Sequence, residues 1–231
     1  MNMTKPLKIL SVLFVALLAS VPLAGAGIYF ESTQVSQGVP GQTDGPQTVR
    51  NYLTEHASRA ETADRIIITN YDTGVMYQID PQAKTYREIN LAGMGMPKME
   101  AKESEALQGM LKKMMGRLTV VPTGETKEIA GYPCRKYLVK IMMMHSEYWV
   151  SKKVPGYAEL MTIGKKVAGL FNRNPMLKQM NIAAMMTDLD GFPVKTVTSM
   201  MNGQTTTTLT KIEQKALAEN LFQIPAGYQK K

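Results

Sequence analysis

Methionine sulfur is the first group to consider for chemistry in this 231-residue chain, which contains 19 methionines. All but Met1 and Met3 follow residue 26, and most of them are clustered: Met94, Met96 and Met99, Met114 and Met115, residues 142–144, Met185 and Met186, and Met200 and Met201. Thioether sulfur is a soft ligand that suits Cu(I). Unbranched methionine side chains also fill irregular apolar surfaces, either in an ordinary core or around a ligand cavity.

Of these three roles for methionine, namely a metal ligand, a core residue and a cavity residue, metal binding is the most specific hypothesis. Its candidate ligands are Met94, Met96, Met99 and residues 142–145. Neighbouring residues in a strand point to opposite faces, so three consecutive methionines do not supply three convergent ligands unless the chain turns there. The two histidines, His56 and His145, show no ligand spacing. We therefore assign no metal site and no cofactor.

Catalytic constellations are missing from the sequence. It contains no Gly-x-Ser-x-Gly elbow, no His-Glu-x-x-His helix and no phosphate-binding glycine loop. Cys134 and His145 could be paired as nucleophile and base, but nothing around Cys134 indicates a lowered thiol pKa. Glu103 and Glu105 are two residues apart on a predicted helix and do not share a face. We predict that the protein is not an enzyme.

Most of the secondary structure predicted from the sequence consists of short strands separated by turn residues, and these strands must position any functional site. Residues 27–36 are predicted to form a first strand, followed by a polar segment through Pro46. Residues 65–89 predict a three-stranded meander in which Val75, Tyr77 and Ile79 share one face. Residues 137–141 and 147–150 predict a hairpin, and residues 194–201 and 205–213 predict another around an Asn202-Gly203 turn.

Two segments change to helical spacing. Residues 98–116 predict a helix with Met110 and Met114 on its apolar face, and residues 156–186 predict helical pieces interrupted by Pro175. Strands with segregated helices predict a single α+β domain built on an antiparallel sheet.

The first 26 residues read as an export signal. Lys5 and Lys8 precede an apolar run at residues 9–21, and small residues at 24–26 form a cleavage site. We expect cleavage after Ala26, a single domain over residues 27–231, and a soluble protein in the periplasm of a Gram-negative bacterium. The sole cysteine, Cys134, cannot form an intramolecular disulfide.

Positive charge is moderate and scattered. The formal net charge of +8 falls to +6 once the leader, with its two lysines and no acids, is removed. Basic pairs such as Lys152-Lys153 lack the motifs of a nucleic-acid interface, so we predict no nucleic-acid partner. Attraction to an anionic membrane surface or an acidic partner is the functional alternative to a simply solvated surface.

A family resemblance rests on four segments: VMYQIDPQAKTYREI, GETKEIAGYPCRKYLV, EYWVSKKVPG and LFQIPAGY. They resemble an uncharacterised exported bacterial domain family related to the outer-membrane lipoprotein carrier LolA. The resemblance implies a strongly curved antiparallel sheet, a LolA-like half-barrel, with helices covering an apolar concave face. Relatives of this architecture bind acyl chains or lipoproteins in that concavity.

The expected function is therefore that of a periplasmic binding or carrier protein that shelters a lipid or another apolar ligand. The candidate cavity residues are Tyr77, Met110, Met114 and Trp149, with an ordinary core role as the alternative for the tryptophan. A methionine-rich Cu(I)-binding protein and an interaction module for envelope proteins are the alternative functions.

Overall fold

The computed structural model describes residues 24–40, 44–93, 118–141, 144–174, 178, 182–200 and 203–231. Twelve strands in these ranges form one open, curled sheet. They are β1 (Ala24–Gln37), β2 (Gly45–Leu53), β3 (Ala57–Glu61), β4 (Ile66–Asn70), β5 (Val75–Asp80), β6 (Thr85–Asn90), β7 (Thr119–Ile129), β8 (Tyr132–Ile141), β9 (Met144–Ser151), β10 (Phe192–Met200), β11 (Gly203–Ala218) and β12 (Gln229–Lys230).

Their order across the sheet is β12-β6-β5-β4-β3-β2-β1-β11-β10-β9-β8-β7. All neighbours are antiparallel except β12, which runs parallel to β6. The long central pair of β1 and β11 shifts register between Glu31 and Ser32, and β10 shifts against β9 between Pro193 and Lys195. Such bulges bend strands and increase their twist, which favours curling of the sheet.

Within the described ranges, two α-helices lie between β9 and β10. Helix α1 spans Tyr157–Phe171 and helix α2 spans Ile182–Asp188. In α1 the buried residues are Leu160, Ile163 and Leu170, whose spacing places them along one side of the helix. Short 3₁₀ turns occur at Leu91–Gly93 and Glu219–Phe222.

Both faces of the meander of β4, β5 and β6 contact other parts of the protein. Met76 packs with Ile163 and Leu170, so its face lies toward α1. Tyr77 and Ile79 point the other way and pack with Phe222 and other residues near the C-terminus. The period-two alternation predicted for β5 is confirmed. We call the face of the sheet that lies toward α1 the inner face and the opposite one the outer face.

The structure confirms the α+β class, the antiparallel sheet, the meander and both hairpins. The first strand extends beyond its predicted bounds at both ends. The sequence pattern does not predict strands β2 and β3, because β2 begins with Gly45, Pro46 and Gln47, a composition typical of a loop. The predicted helix over 98–116 lies outside the described residues.

Candidate functional site

The candidate site is an apolar groove between the two helices and the inner face of the sheet. Its volume is about 770 Å³, within the range of about 300–1,000 Å³ that small-molecule sites occupy. Helix α1 forms one wall, and helix α2 together with Leu189, Gly191 and Phe192 forms the other. Leu53, Tyr71 and Tyr148 contribute from the sheet side. We refer to this cavity as the apolar groove.

Small residues keep the helices from filling the space between them. Gly164 and Ala168 of α1 and Ala183 and Ala184 of α2 line the apolar groove. A Cβ atom added at Gly164 would have one close contact, with the Met186 Cε atom at 3.9 Å. Helical spacing puts Gly164 and Ala168 on the same side of α1, so the pair forms a shallow channel along that helix.

Three methionines border this channel: Met161 on α1 and Met185 and Met186 on α2. All three are partly exposed, which leaves their flexible side chains in contact with the open space. A thioether side chain can adopt several rotamers against an irregular apolar surface. The geometry therefore suits a flexible hydrocarbon chain better than a rigid polar molecule.

Polar groups in the apolar groove are few, and all but one of them are uncharged. Burial raises the pKa of Tyr71 and that of Tyr148, so both phenols stay protonated at neutral pH. Lys165 is the one cation among the lining residues, and its side chain is exposed to solvent. Neither a nucleophile–base pair nor a cluster of carboxylates lines the described part of this cavity.

Helix α1 is held over the sheet by polar contacts at both ends. Near its start, Gln214 Nε2 donates to Glu159 Oε2 at 3.0 Å. After its last turn, the buried Asn174 donates from Nδ2 to the Leu91 carbonyl at 2.6 Å. These contacts and the buried side of the helix fix the wall of the apolar groove.

A second anchor for α1 is the turn between β4 and β5. The Asp72 carboxylate forms an ion pair with Lys166, whose Nζ atom lies 2.7 Å from Asp72 Oδ1. The His56 Nδ1 atom lies 2.8 Å from the other carboxylate oxygen, Asp72 Oδ2. Arg173 Nη1 donates to the Asp72 carbonyl at 3.3 Å. The hydrogen bond from Lys166, followed by that of His56, lowers the pKa of Asp72.

The four candidate cavity residues do not meet in the described structure. Tyr77 lies on the outer face of the meander, where its ring contacts that of Tyr86 edge to face at 6.0 Å. Trp149 packs against the main core cluster, with Lys136 Nζ 5.6 Å from its ring centroid. Neither lines the apolar groove, and Met110 and Met114 lie outside the described residues.

The residue next to Trp149 lines the groove instead. Tyr148 points to the opposite side of β9 and packs near Met185 and Leu189. The sequence gives no reason to place one of these two aromatic residues, rather than the other, in the apolar groove. That choice depends on how β9 pairs with β10 in the folded sheet. The apolar side of α1 was the signal that could have located the groove, because Leu160, Ile163 and Val167 follow helical spacing.

The candidate Cu(I) ligands are only partly described. Met144 and His145 are neighbours in β9, whereas Met94, Met96, Met99, Met142 and Met143 fall outside the described ranges. Within those ranges, no group of three His, Cys, Asp or Glu side chains is arranged to hold a metal ion. Cys134 is buried, and burial raises the pKa of its thiol, which disfavours a nucleophilic thiolate.

The chain belongs to a family described as a domain of unknown function, DUF4412, whose model matches residues 45–228. This confirms the expectation of an uncharacterised domain family. A comparison with curated protein sequences found no significant match.

The chain is similar to several solved structures, of which the first described here supports the fold. An uncharacterised conserved protein from Thermus thermophilus is 8% identical, with a TM-score of 0.50 and 88% of each chain covered. A domain from Vibrio parahaemolyticus, described as an outer membrane lipoprotein-sorting protein, is 9% identical, with a TM-score of 0.32 and 85% and 88% coverage. PNGF-II is 14% identical with a TM-score of 0.42; the match covers 90% of this chain but 31% of that protein.

No helix within the described ranges is long and apolar enough to cross a bilayer.

Proposed function

We propose that this protein is a non-enzymatic binding or carrier protein that shelters the hydrocarbon chain of a lipid or lipoprotein in the apolar groove. The observation that carries the proposal is the cavity of about 770 Å³ between the helices and the sheet, bordered by apolar side chains and three methionines. The resemblance of four sequence segments to the family related to the lipoprotein carrier supports the same kind of ligand.

Burial of hydrocarbon supplies the driving force. Each methylene group removed from water contributes about 0.8 kcal/mol, and association costs at least about 4 kcal/mol. At that lower cost, about ten sheltered methylenes give millimolar affinity and about fifteen give micromolar affinity. Affinity of this order suits a carrier that must also release its ligand.

The leader predicted at residues 1–26 supports a periplasmic setting in a Gram-negative bacterium. In that compartment, a sheltered chain would be protected from water between one membrane surface and another. The excess of basic residues, which gives the full chain its net charge of +8, favours transient contact with anionic headgroups.

A direct test uses delipidated protein and N-phenyl-1-naphthylamine, a neutral probe whose fluorescence rises in apolar surroundings. We expect saturable binding of the probe and its displacement by oleic acid. Native mass spectrometry of protein purified from a bacterial periplasm would then show whether a lipid-sized adduct accompanies it. Protein that binds neither the probe nor oleic acid would contradict the proposal.

The substitution Gly164→Leu tests the location of the ligand. Its side chain would enter the open channel near Met186, and we expect probe affinity to fall about tenfold, because hydrocarbon contact area is lost. Ala158→Leu is the matched control, since it adds the same side chain to an exposed position of α1 outside the groove. Equal affinities for both variants would place the probe elsewhere.

A further inference from the structure

A second cavity, which we call the basic cleft, lies beside the apolar groove at the end of β9. Its volume is about 560 Å³, and its lining includes four basic and two acidic side chains: Lys127, Arg135, Lys152, Lys153, Glu128 and Asp190. Lys152 Nζ is paired with Asp190 Oδ1 at 2.5 Å. Lys127, Arg135 and Lys153 form no ion pair within the described part of the chain.

Positive charge in this cleft is therefore incompletely compensated. After the Lys152–Asp190 pair is set aside, three cations remain with Glu128 as the acidic lining residue. Arg135 is close enough to Lys152 to act on it as a like charge. Like charges brought together around a concave surface raise the local concentration of anions.

The wall between the two cavities is only a few side chains thick. Leu189 and Gly191 line the apolar groove, and Asp190 between them lines the basic cleft. Val150 lines the cleft while packing in one cluster with Tyr148, Met185 and Leu189. A Cβ atom at Gly191 would lie 3.0 Å from Val150 Cβ, so the glycine allows this close packing.

We propose that the ligand is an anionic amphiphile, whose hydrocarbon chain occupies the apolar groove and whose negatively charged headgroup occupies the basic cleft. This inference rests on the function proposed above and specifies the class of ligand. Neighbouring residues of the segment 189–191 line different cavities, and consecutive Cα atoms are about 3.8 Å apart, so the apolar groove and the basic cleft approach each other along this segment. Lys127, Arg135 and Lys153 then supply the unpaired positive charge that an anionic headgroup requires.

The test compares two probes that share one chain and differ in net charge: 1-oleoyl lysophosphatidylglycerol, which is anionic, and 1-oleoyl lysophosphatidylcholine, which is zwitterionic. Calorimetric titrations below their micellar concentrations would measure both affinities. We expect the anionic lipid to bind about five to ten times more tightly at low salt, since exposed charge pairs contribute up to about 1 kcal/mol each. The difference should shrink as salt screens the charges.

Charge-matched variants locate the headgroup. Arg135→Gln combined with Lys153→Gln should remove most of the preference for the anionic lipid while leaving the affinity for the zwitterionic lipid within twofold of the original. Arg87→Gln combined with Lys140→Gln removes the same charge from exposed strand positions outside the basic cleft and should preserve the preference. Circular dichroism would confirm that each variant is folded.

Three outcomes would overturn the inference. If the unmodified protein bound the two lipids with equal affinity, the apolar groove would still be a binding site for the chain, but the headgroup would not lie in the basic cleft. Loss of the preference in Lys165→Gln alone would place the headgroup at the solvent-exposed rim of the groove. Tight binding of glycerol phosphate without any hydrocarbon chain would identify the cleft as a site for free phosphate. Failure of both lipids to bind would instead refute the proposed function itself.

Discussion

Gly156 illustrates how one residue at a helix start can be indispensable. It precedes α1 with a φ of 69°, a left-handed conformation that residues with a side chain adopt at a cost. A Cβ atom there would also lie 2.2 Å from Ile28 Cδ1 and 2.8 Å from Gln214 Cγ. Both backbone conformation and packing therefore require glycine where α1 meets β1.

We expect Gly156→Ala to lower the free energy of unfolding by about 2–4 kcal/mol, of which about 1–2 kcal/mol is backbone strain and the rest overpacking. Gly131→Ala is the control, because Gly131 also has a positive φ, of 79°, but no neighbour within contact distance of an added Cβ. It should lose only about 1 kcal/mol. Urea unfolding measures both; similar losses in the two variants would mean that the contact with Ile28 has no energetic consequence.

The aromatic residues show that residue type alone does not predict which side chains line the apolar groove. The sequence predicts that Tyr77 lines a cavity, and the residue packs instead against Tyr86 on the outer face. Tyr148 lines the apolar groove although its neighbour Trp149 is the larger and more apolar aromatic residue. The alternation of side chains along a strand predicts that neighbouring residues point to opposite faces of the sheet. It does not predict which of the two faces is concave.

Helix α1 is the element on which the site depends, and its docking combines burial with a charged anchor. Asp72 contacts Lys166 of α1 and His56 of the connection between β2 and β3. Because these hydrogen bonds lower its pKa in the folded protein, the carboxylate stabilises the fold above the ordinary pKa of aspartate. That contribution is lost as the pH falls through the lowered pKa.

The substitution Asp72→Asn should therefore lower the urea midpoint at about pH 7, and this penalty should shrink as the pH falls through the lowered pKa of the native aspartate. The effect at neutral pH should be small because the ion pair is exposed to solvent. Asp188→Asn is the control, because it removes an exposed carboxylate that forms no ion pair within the described ranges, and it should leave the urea midpoint at about pH 7 unchanged. An Asp72→Asn penalty that persists at low pH would show that packing, not charge, explains it.

Elements with strong periodicity were predictable. The meander combines alternating apolar residues with turns at Asp72-Thr73-Gly74 and Asp80-Pro81, and the structure contains all three of its strands. Strand β2 carries no such signal, because Pro46, Gln47 and Thr48 are typical of loops. Its extended conformation follows from pairing with β1, where Pro46 lies opposite Val35.

At the scale of the whole molecule, export remains a prediction from the leader. We expect the full-length gene product expressed in a Gram-negative bacterium to be recovered from the periplasm without residues 1–26, with Gly27 as its N-terminus. Intact-mass measurement and N-terminal sequencing would show this. Cleavage there would shorten β1, whose Ala24 and Ala26 pair with Ala218 and Ala216 in the structure.

Ala26→Leu provides the matched test of the cleavage site, because a large residue replaces the small one that a signal peptidase requires. Unprocessed precursor should accumulate in the membrane fraction. Leu17→Ile, a conservative change within the apolar run, should be processed normally. Recovery of the unmodified protein with its leader intact, or with a distant N-terminus, would refute the prediction.

The fold class, the meander, the hairpins and the family resemblance could be predicted from sequence patterns, because alternation, helical spacing and turn residues act over a few neighbouring positions. The position of the apolar groove could not be predicted in this way. That groove depends on how far α1 stands from α2 and on which face of the curled sheet is concave, and both follow from contacts between distant segments such as Asn174 with Leu91 and Gly156 with Ile28. The basic cleft has the same origin, since β-sheet pairing brings Lys127 and Arg135 beside Lys152 and Lys153.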